Sequence, residues 1–151
     1  MNVGDICRRP VVTVLPGAGL TAAAQLMRTQ HVGFLVVVEP ARREDGLNVV
    51  GVLTDRDIVT AVVAREADPR TLTVGDVMTR DPFVSKDTSS VEATLRFMHE
   101  VGVRRVPVLS STGQLAGVMA LDDALMAIAG QLNDVAGCIR SEQRVERCVR
   151  A

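Results

Sequence analysis

Apolar residues along this chain occur as short runs and as spaced stripes, and the same order of runs and stripes occurs twice. In the first pass a brief β-prone run, Val11-Val12-Thr13, precedes a helical stripe from Leu20 to about Gln30 and an apolar strand from Phe34 to Val38. A last strand begins at Gly51 and runs into a helix. In the second pass Phe83-Val84-Ser85 precedes a helix over 91 to about 100, a strand from Val106 to Leu109 and a last strand from Gly117. Ser89 and Glu92 stand at capping-box spacing before that second helix. The opening Val3-Gly4-Asp5-Ile6 returns as Val74-Gly75-Asp76-Val77, each followed by a proline, Pro10 or Pro82. The loop between the paired strands is long in the first copy, 39–48, where Ala41-Arg42-Arg43-Glu44-Asp45 is expected to be a solvated, mobile hairpin tip. In the second copy it is only Ser110-Ser111-Thr112-Gly113, a plain hairpin signal.

The pattern predicts an α/β (α+β) fold of two β-α-β-β-α repeats, each about 60 residues long. The first covers 1–64 and the second 74–129, with a polar linker around Pro69 over 65–73 and a helical extension over 130–151. A unit this small buries little surface by itself. Two copies can cover each other's sheet face, giving one domain with an internal pseudo-twofold axis and a related pair of clefts.

Within the first repeat, Gly51-Val52-Leu53-Thr54-Asp55-Arg56-Asp57 reads as a buried strand ending where a helix begins. Thr54 is placed to be the N-cap, with Asp57 at the capping-box position. Such a corner offers free backbone N–H groups and a positive dipole end beside two oxygen-bearing side chains, which suits a phosphate and a sugar hydroxyl. The residues alone fit an ordinary helix cap better, since most capping boxes bind nothing.

Composition narrows the function classes. The 17 basic and 18 acidic residues leave a formal charge of −1, which argues against a general nucleic-acid binder. With no Trp or Tyr, stacking platforms for single strands are missing as well, and the core must be aliphatic. No apolar run approaches the roughly 18 to 20 residues that span a bilayer, and the N-terminus lacks the form of a signal peptide. Cys7, Cys138 and Cys148 indicate neither a disulfide framework nor a zinc knuckle, so a cytoplasmic location is expected. Cys7 is expected near the first strand, Met27 and Met98 in the core, and His31 and His99 on helix surfaces rather than on a metal. No nucleophile with a base, metal set or glycine-rich phosphate loop points to an enzyme.

The duplicated opening, the strand Val103-Arg104-Arg105-Val106-Pro107-Val108 and the Gly51–Asp57 stretch together resemble a tandem CBS-domain pair, a Bateman module, over residues 3–129. The resemblance implies a regulatory pair, here freestanding, that forms a homodimer and controls a partner protein outside the chain. It also implies clefts for adenine nucleotides (AMP, ADP or ATP) or adenosyl compounds, with no catalytic cofactor. In the family's (Ser/Thr)-x-x-Asp motif the hydroxyl faces the phosphate and the carboxylate takes the ribose hydroxyls; Thr54 and Asp57 fit it, with Arg56 in reach of an anion. Groups from the opposite repeat would complete this main site: Asp76 and Met78 from one stretch, Val103, Arg104 and Arg105 from another. The second repeat keeps Asp123 but has Ala120 in place of the hydroxyl, and Val36 stands in the first repeat where the second has Pro107. The Asp123 cleft faces Val32-Gly33-Phe34, which carries no arginine, so with Asp5 and Val32 it is expected to be a weaker second site. A ligand-independent dimerisation scaffold is the alternative.

Beyond Asp123, Leu125, Ile128, Leu132, Val135 and Ile139 form one apolar helical stripe, weakened by Gly130 and Gly137 and followed by a charged tail, 140–150. Two readings stand: a helix packing on its own module, or an extension reaching a dimer partner or the regulated target.

Overall fold

A computed structural model describes residues 1–41 and 46–149. Each repeat is built on an antiparallel pair of apolar strands. In the first, β2 (Phe34–Pro40) pairs with β3 (Leu47–Thr54), from Phe34 opposite Thr54 to Pro40 opposite Leu47, and β1 (Thr13–Val14) lies parallel on the outer side of β2. In the second, β6 (Arg105–Leu109) pairs with β7 (Leu115–Ala120), with β5 (Ser85–Lys86) parallel to β6. Helices α2 (Leu20–Gln30) and α3 (Asp55–Val62) complete the first repeat, and α5 (Val91–Val101) and α6 (Leu121–Val149) the second. Both repeats are therefore β-α-β-β-α.

What joins them is an exchange of their opening segments. Two short helices, α1 (Val3–Ile6) and α4 (Val74–Val77), form from the duplicated Val-Gly-Asp motif, and each docks on the other repeat. Val3 and Gly4 donate their N–H groups to the carbonyls of Ser89 and Asp87, at 2.9 and 2.8 Å. Val74 and Gly75 do the same to Ala18 and Pro16, at 2.9 and 2.8 Å. The chain then continues along the facing sheet edge: β4 (Thr79–Arg80) extends the first sheet beside β3, and Arg8 bridges Val118 of β7. Val74 and Met78 consequently belong to the core of Leu20, Met27, Leu35, Val37 and Leu53, while Val3 belongs to the core of Val91, Met98, Val106, Val108 and Met119.

Glycine makes the close approach possible. A Cβ on Gly51 would lie 2.5 Å from Met78 Sδ and 3.0 Å from the Thr79 carbonyl oxygen. One on Gly117 would lie 2.7 Å from Cys7 Sγ and 3.1 Å from the Arg8 carbonyl oxygen. Cys7 therefore packs on the second repeat, not beside the first strand.

Several boundaries differ from expectation. β3 and β7 begin at Leu47 and Leu115 rather than at the glycines, because the polar hairpin ends still pair; Glu39 faces Asn48. The expected hairpin tip at 42–45 lies outside the described residues. The N-cap of α5 is Ser90, whose hydroxyl accepts the Ala93 N–H at 3.1 Å; Ser89 instead supplies its carbonyl to Val3. The linker holds a 3-10 turn (Pro69–Thr71), and the Leu72 carbonyl accepts the Leu20 N–H. Met27 and Met98 are buried as expected. Helix α6 runs unbroken through Gly130 and Gly137, and Ala124 is its only buried residue among those described.

Val74→Ala is expected to cost about 2 kcal/mol in urea unfolding, in line with large-to-small core changes. Gly51→Val should cost more, because the crowding atoms include backbone. Gly130→Ala, which meets nothing within 4 Å, should stabilise by up to ~1 kcal/mol.

Candidate functional site

The two strand-to-helix corners are built alike and finished differently. At the first, the Thr54 hydroxyl accepts the Asp57 N–H at 3.1 Å, and Asp57 Oδ2 accepts the Thr54 N–H at 2.8 Å. The Asp55 N–H reaches the Gly33 carbonyl at 3.2 Å, and the Arg56 N–H reaches Asp55 Oδ1 at 2.8 Å. All three opening amides of α3 are thus donated to protein acceptors, contrary to the expectation of free N–H groups there. No ion pair to Asp57 or Arg56 forms among the described residues.

At the second corner Ala120 offers no hydroxyl and Leu121 no carboxylate. The Leu121 N–H reaches the Arg104 carbonyl at 2.9 Å, and Asp123 Oδ2 accepts the Ala120 N–H at 3.3 Å. Among the described residues, the N–H groups of Asp122 and Asp123 have no acceptor. A cleft of about 220 Å³ opens here, slightly below the ~300–1,000 Å³ of small-molecule sites. Its second-repeat wall is Arg105, Val118, Ala120, Asp122 and Asp123, and its first-repeat wall runs from Arg8 to Val12 and from His31 to Phe34. Across it, Arg8 Nε donates to Asp123 Oδ1 at 2.6 Å, with Asp123 deep (12% exposed) and Arg8 at the mouth (72% exposed).

The residues expected at the sites sort accordingly. Asp123, Val32 and Arg105 meet in one cleft, so Arg105 is on the Asp123 wall and not only a candidate for the Thr54 corner. Arg104 pairs with Asp122 at 3.7 Å. The Asp123 cleft therefore does hold arginines, Arg8 and Arg105, although the facing strand carries none. Asp76 is occupied as a cap, accepting the Thr73 N–H and hydroxyl, both at 2.8 Å; Asp5 likewise accepts the Asn2 N–H at 2.8 Å. Met78 is core, packed over Gly51, and Val103 is exposed. His31 is exposed, as expected, at the C-cap of α2 in the left-handed region (φ 54°), where the second repeat has Gly102 (φ 71°), and it lines the cleft. Arg8 and His31 were missed. Arg8 becomes visible only once the opening segment is known to cross, and His31 only on alignment with Gly102. Among the described residues, no cluster of three or more His, Cys, Asp or Glu is placed to hold a metal ion, and no helix is long and apolar enough to cross a membrane.

Two β-α-β-β-α repeats that exchange their opening segments, with a cleft between them at a strand-to-helix corner, define a paired-repeat module. The chain belongs to the CBS-domain family, whose CBS domain matches it twice, over residues 3–64 and 74–130. It is 37% identical over 119 residues to hypoxic response protein 1 of Mycobacterium tuberculosis, covering 79% of each chain. It is 27% identical over 125 residues to a Methanopyrus kandleri protein, 83% of this chain but only 61% of that protein's length. Among solved structures it resembles CBSX2 in complex with AMP (TM-score 0.69, 26% identity, 87% of this chain and 98% of that one). It also resembles hypoxic response protein I with two coordinated zinc ions (TM-score 0.69, 35% identity, 83% and 98%). A CBS-domain pair in complex with 5′-methylthioadenosine and S-adenosyl-L-methionine shares the fold (TM-score 0.73, 22% identity, 87% and 98%).

Thr54→Ala should cost about 1 kcal/mol, the usual value of an N-cap, and Thr54→Ser should restore most of it in thermal unfolding. The Thr73 backbone N–H, then its hydroxyl, hold the Asp76 carboxyl below its ordinary value. Its folded pKa lies below its unfolded one, so this support of α4 is present above the unfolded carboxylate value and lost as pH falls through the folded one. NMR titration should find Asp76 titrating below the ordinary aspartate value, and Asp76→Asn should flatten the acid limb of the stability profile.

Proposed function

We propose that this chain is a regulatory module that binds an adenine nucleotide or adenosyl compound between its two repeats, and that ligand binding alters its conformation or assembly to control a partner protein. The carrying observation is the Asp123 cleft, where the unpaired N–H groups of Asp122 and Asp123 converge with Arg8 and Arg105 beside apolar walls. That reverses the ranking expected from the motif alone. An anion entering the mouth draws Arg8 from Asp123, since guanidinium groups pair readily with phosphate. The released carboxylate is then free for the ribose hydroxyls, so phosphate and sugar recognition are linked through one ion pair. Val12, Val32 and Val118 offer the base an apolar seat. Thr54 and Asp57, with Arg56, form the second, more committed site. Adenosine-containing ligands in related pairs, AMP in CBSX2 among them, support the ligand class. The unpaired cysteines fit a reducing, cytoplasmic setting.

A ligand-independent scaffold is the second reading. It is favoured by the Arg8–Asp123 pair, which satisfies the Asp123 carboxylate without a ligand, and by the satisfied amides of α3.

Thermal unfolding with AMP, ADP, ATP, NADH and S-adenosylmethionine separates the two. A ligand at 100 times its dissociation constant adds about 2.7 kcal/mol, or about 5 to 10 °C for a chain of this size. The expected result is a shift with one adenine compound, lost in Asp123→Ala and reduced in Arg8→Ala. Loss in Asp57→Ala alone would return the main site to Thr54 and Asp57. No shift with any compound would favour the scaffold.

A further inference from the structure

Arg8 meets Asp123 side-on. Its Nε donates to Asp123 Oδ1, while its two terminal nitrogens have no acceptor among the described residues. An arginine given wholly to one carboxylate commonly uses two parallel donors. Here the outer edge of the guanidinium is left for a second anion at the cleft mouth. The backbone is fixed: the Arg8 N–H donates to the Val118 carbonyl at 2.8 Å, and the Arg8 carbonyl accepts the Val118 N–H at 3.2 Å. Only the side chain is free to swing. Both oxygens of Asp123 are in use, Oδ1 by Arg8 and Oδ2 by the Ala120 N–H, so a sugar hydroxyl seeking this carboxylate competes with Arg8. The other corner supplies a contrast. Thr79 is the counterpart of Arg8, pairing with Val52 where Arg8 bridges Val118. It carries no charge, and Asp57 has no ion pair among the described residues.

We propose that Arg8 is a specificity-determining residue, a charge lock that admits phosphorylated adenosine ligands to the Asp123 cleft and turns away neutral or cationic adenosyl compounds. The proposal rests on the reading of this cleft as an adenosine site. A phosphate gives the guanidinium a new acceptor, so Asp123 passes to the sugar without loss of a charge-assisted bond. A ligand without phosphate breaks the ion pair with nothing in exchange. A sulfonium or ammonium group is disfavoured further, because Arg8 and Arg105 both line the cleft. Discrimination then comes from competition for Asp123. That separates a lock from a plain phosphate contact, since removing a lock improves binding of the ligand that lacks phosphate.

Isothermal titration calorimetry of the full chain and of Arg8→Ala with AMP, adenosine and S-adenosylmethionine tests this, at one salt concentration throughout. The wild type should prefer AMP. In Arg8→Ala the preference for AMP over adenosine should fall at least about 10-fold, the worth of a hydrogen bond to a charged group. Adenosine itself should bind about 3- to 5-fold more tightly, the worth of an ion pair largely open to solvent. AMP should bind more weakly but not be lost, because Arg105 stays on the cleft wall. Adenosine binding unchanged or weakened in Arg8→Ala would overturn the lock and leave Arg8 a phosphate contact or a structural pair. A wild type that binds adenosine as tightly as AMP, or S-adenosylmethionine in place of AMP, would overturn it while the cleft remained an adenosine site. Binding of none of the three by either chain would overturn the reading of the cleft, and the proposal with it.

Discussion

The exchange of opening segments is the constraint on which the rest depends. Each repeat lacks an apolar plug for its own core and receives it from the other; the first sheet also gains β4 at its edge, and the second a single bridge from Arg8. Val3 and Val74 are fully buried in the opposite core. Their helices are single turns, too short to persist alone, and they are held by two backbone hydrogen bonds each to the facing repeat. Neither half is complete by itself, which is why a unit of this size folds as a pair. The same crossing carries Arg8 over the second sheet to Asp123. The ion pair that spans the cleft is thus a direct product of the exchange.

The two corners diverge through a few side chains. Thr54 Oγ1 and Asp55 Oδ1 accept two of the opening amides of α3, and the Gly33 carbonyl accepts the third. Ala120 and Leu121 bring no such side-chain acceptor, and although the Leu121 N–H reaches the Arg104 carbonyl, those of Asp122 and Asp123 find no acceptor among the described residues. A degenerate motif has therefore left two amides at the start of α6 without an acceptor, because a hydroxyl that caps a helix also occupies the N–H a phosphate would use. Arg8 adds the opposite charge in a position open to solvent. Asp123, sheltered beneath it, keeps a carboxylate within the cleft.

Much of the architecture was legible because the hydrophobic pattern is duplicated. Two copies of one run-and-stripe order identify the repeats, and the family's motifs then locate both corners. Thr54 and Asp57 form the capping box that their spacing indicates. The residues alone do not show the crossing, since Val-Gly-Asp-Ile carries no signal of which repeat receives it; only the resemblance set Asp76 and Met78 at the Thr54 corner and Asp5 at the Asp123 one. Some misplacements follow from that gap, others from local capping and register. Cys7 sits on the second sheet, Asp5 and Asp76 cap the crossing helices, and Met78 fills the core it crosses into. Arg105 was assigned by motif to the opposite corner, but strand pairing sets it opposite Ala120. That register depends on the hairpin, not on the motif.

Helix α6 ties the cleft to the exterior. Asp122 and Asp123 are in its first turn, so whatever binds their amides acts on the base of a helix about 43 Å long at 1.5 Å per residue. A rigid element of that length magnifies movement: a tilt of about 5° at the base displaces the far end by roughly 4 Å, comparable to one turn's pitch. The apolar stripe lies along this lever rather than on the body of the module. A small rearrangement of Arg8 and Asp123 is therefore felt most where the surface is most in need of a partner, and a ligand has only to favour one tilt by differential affinity to change what that surface meets.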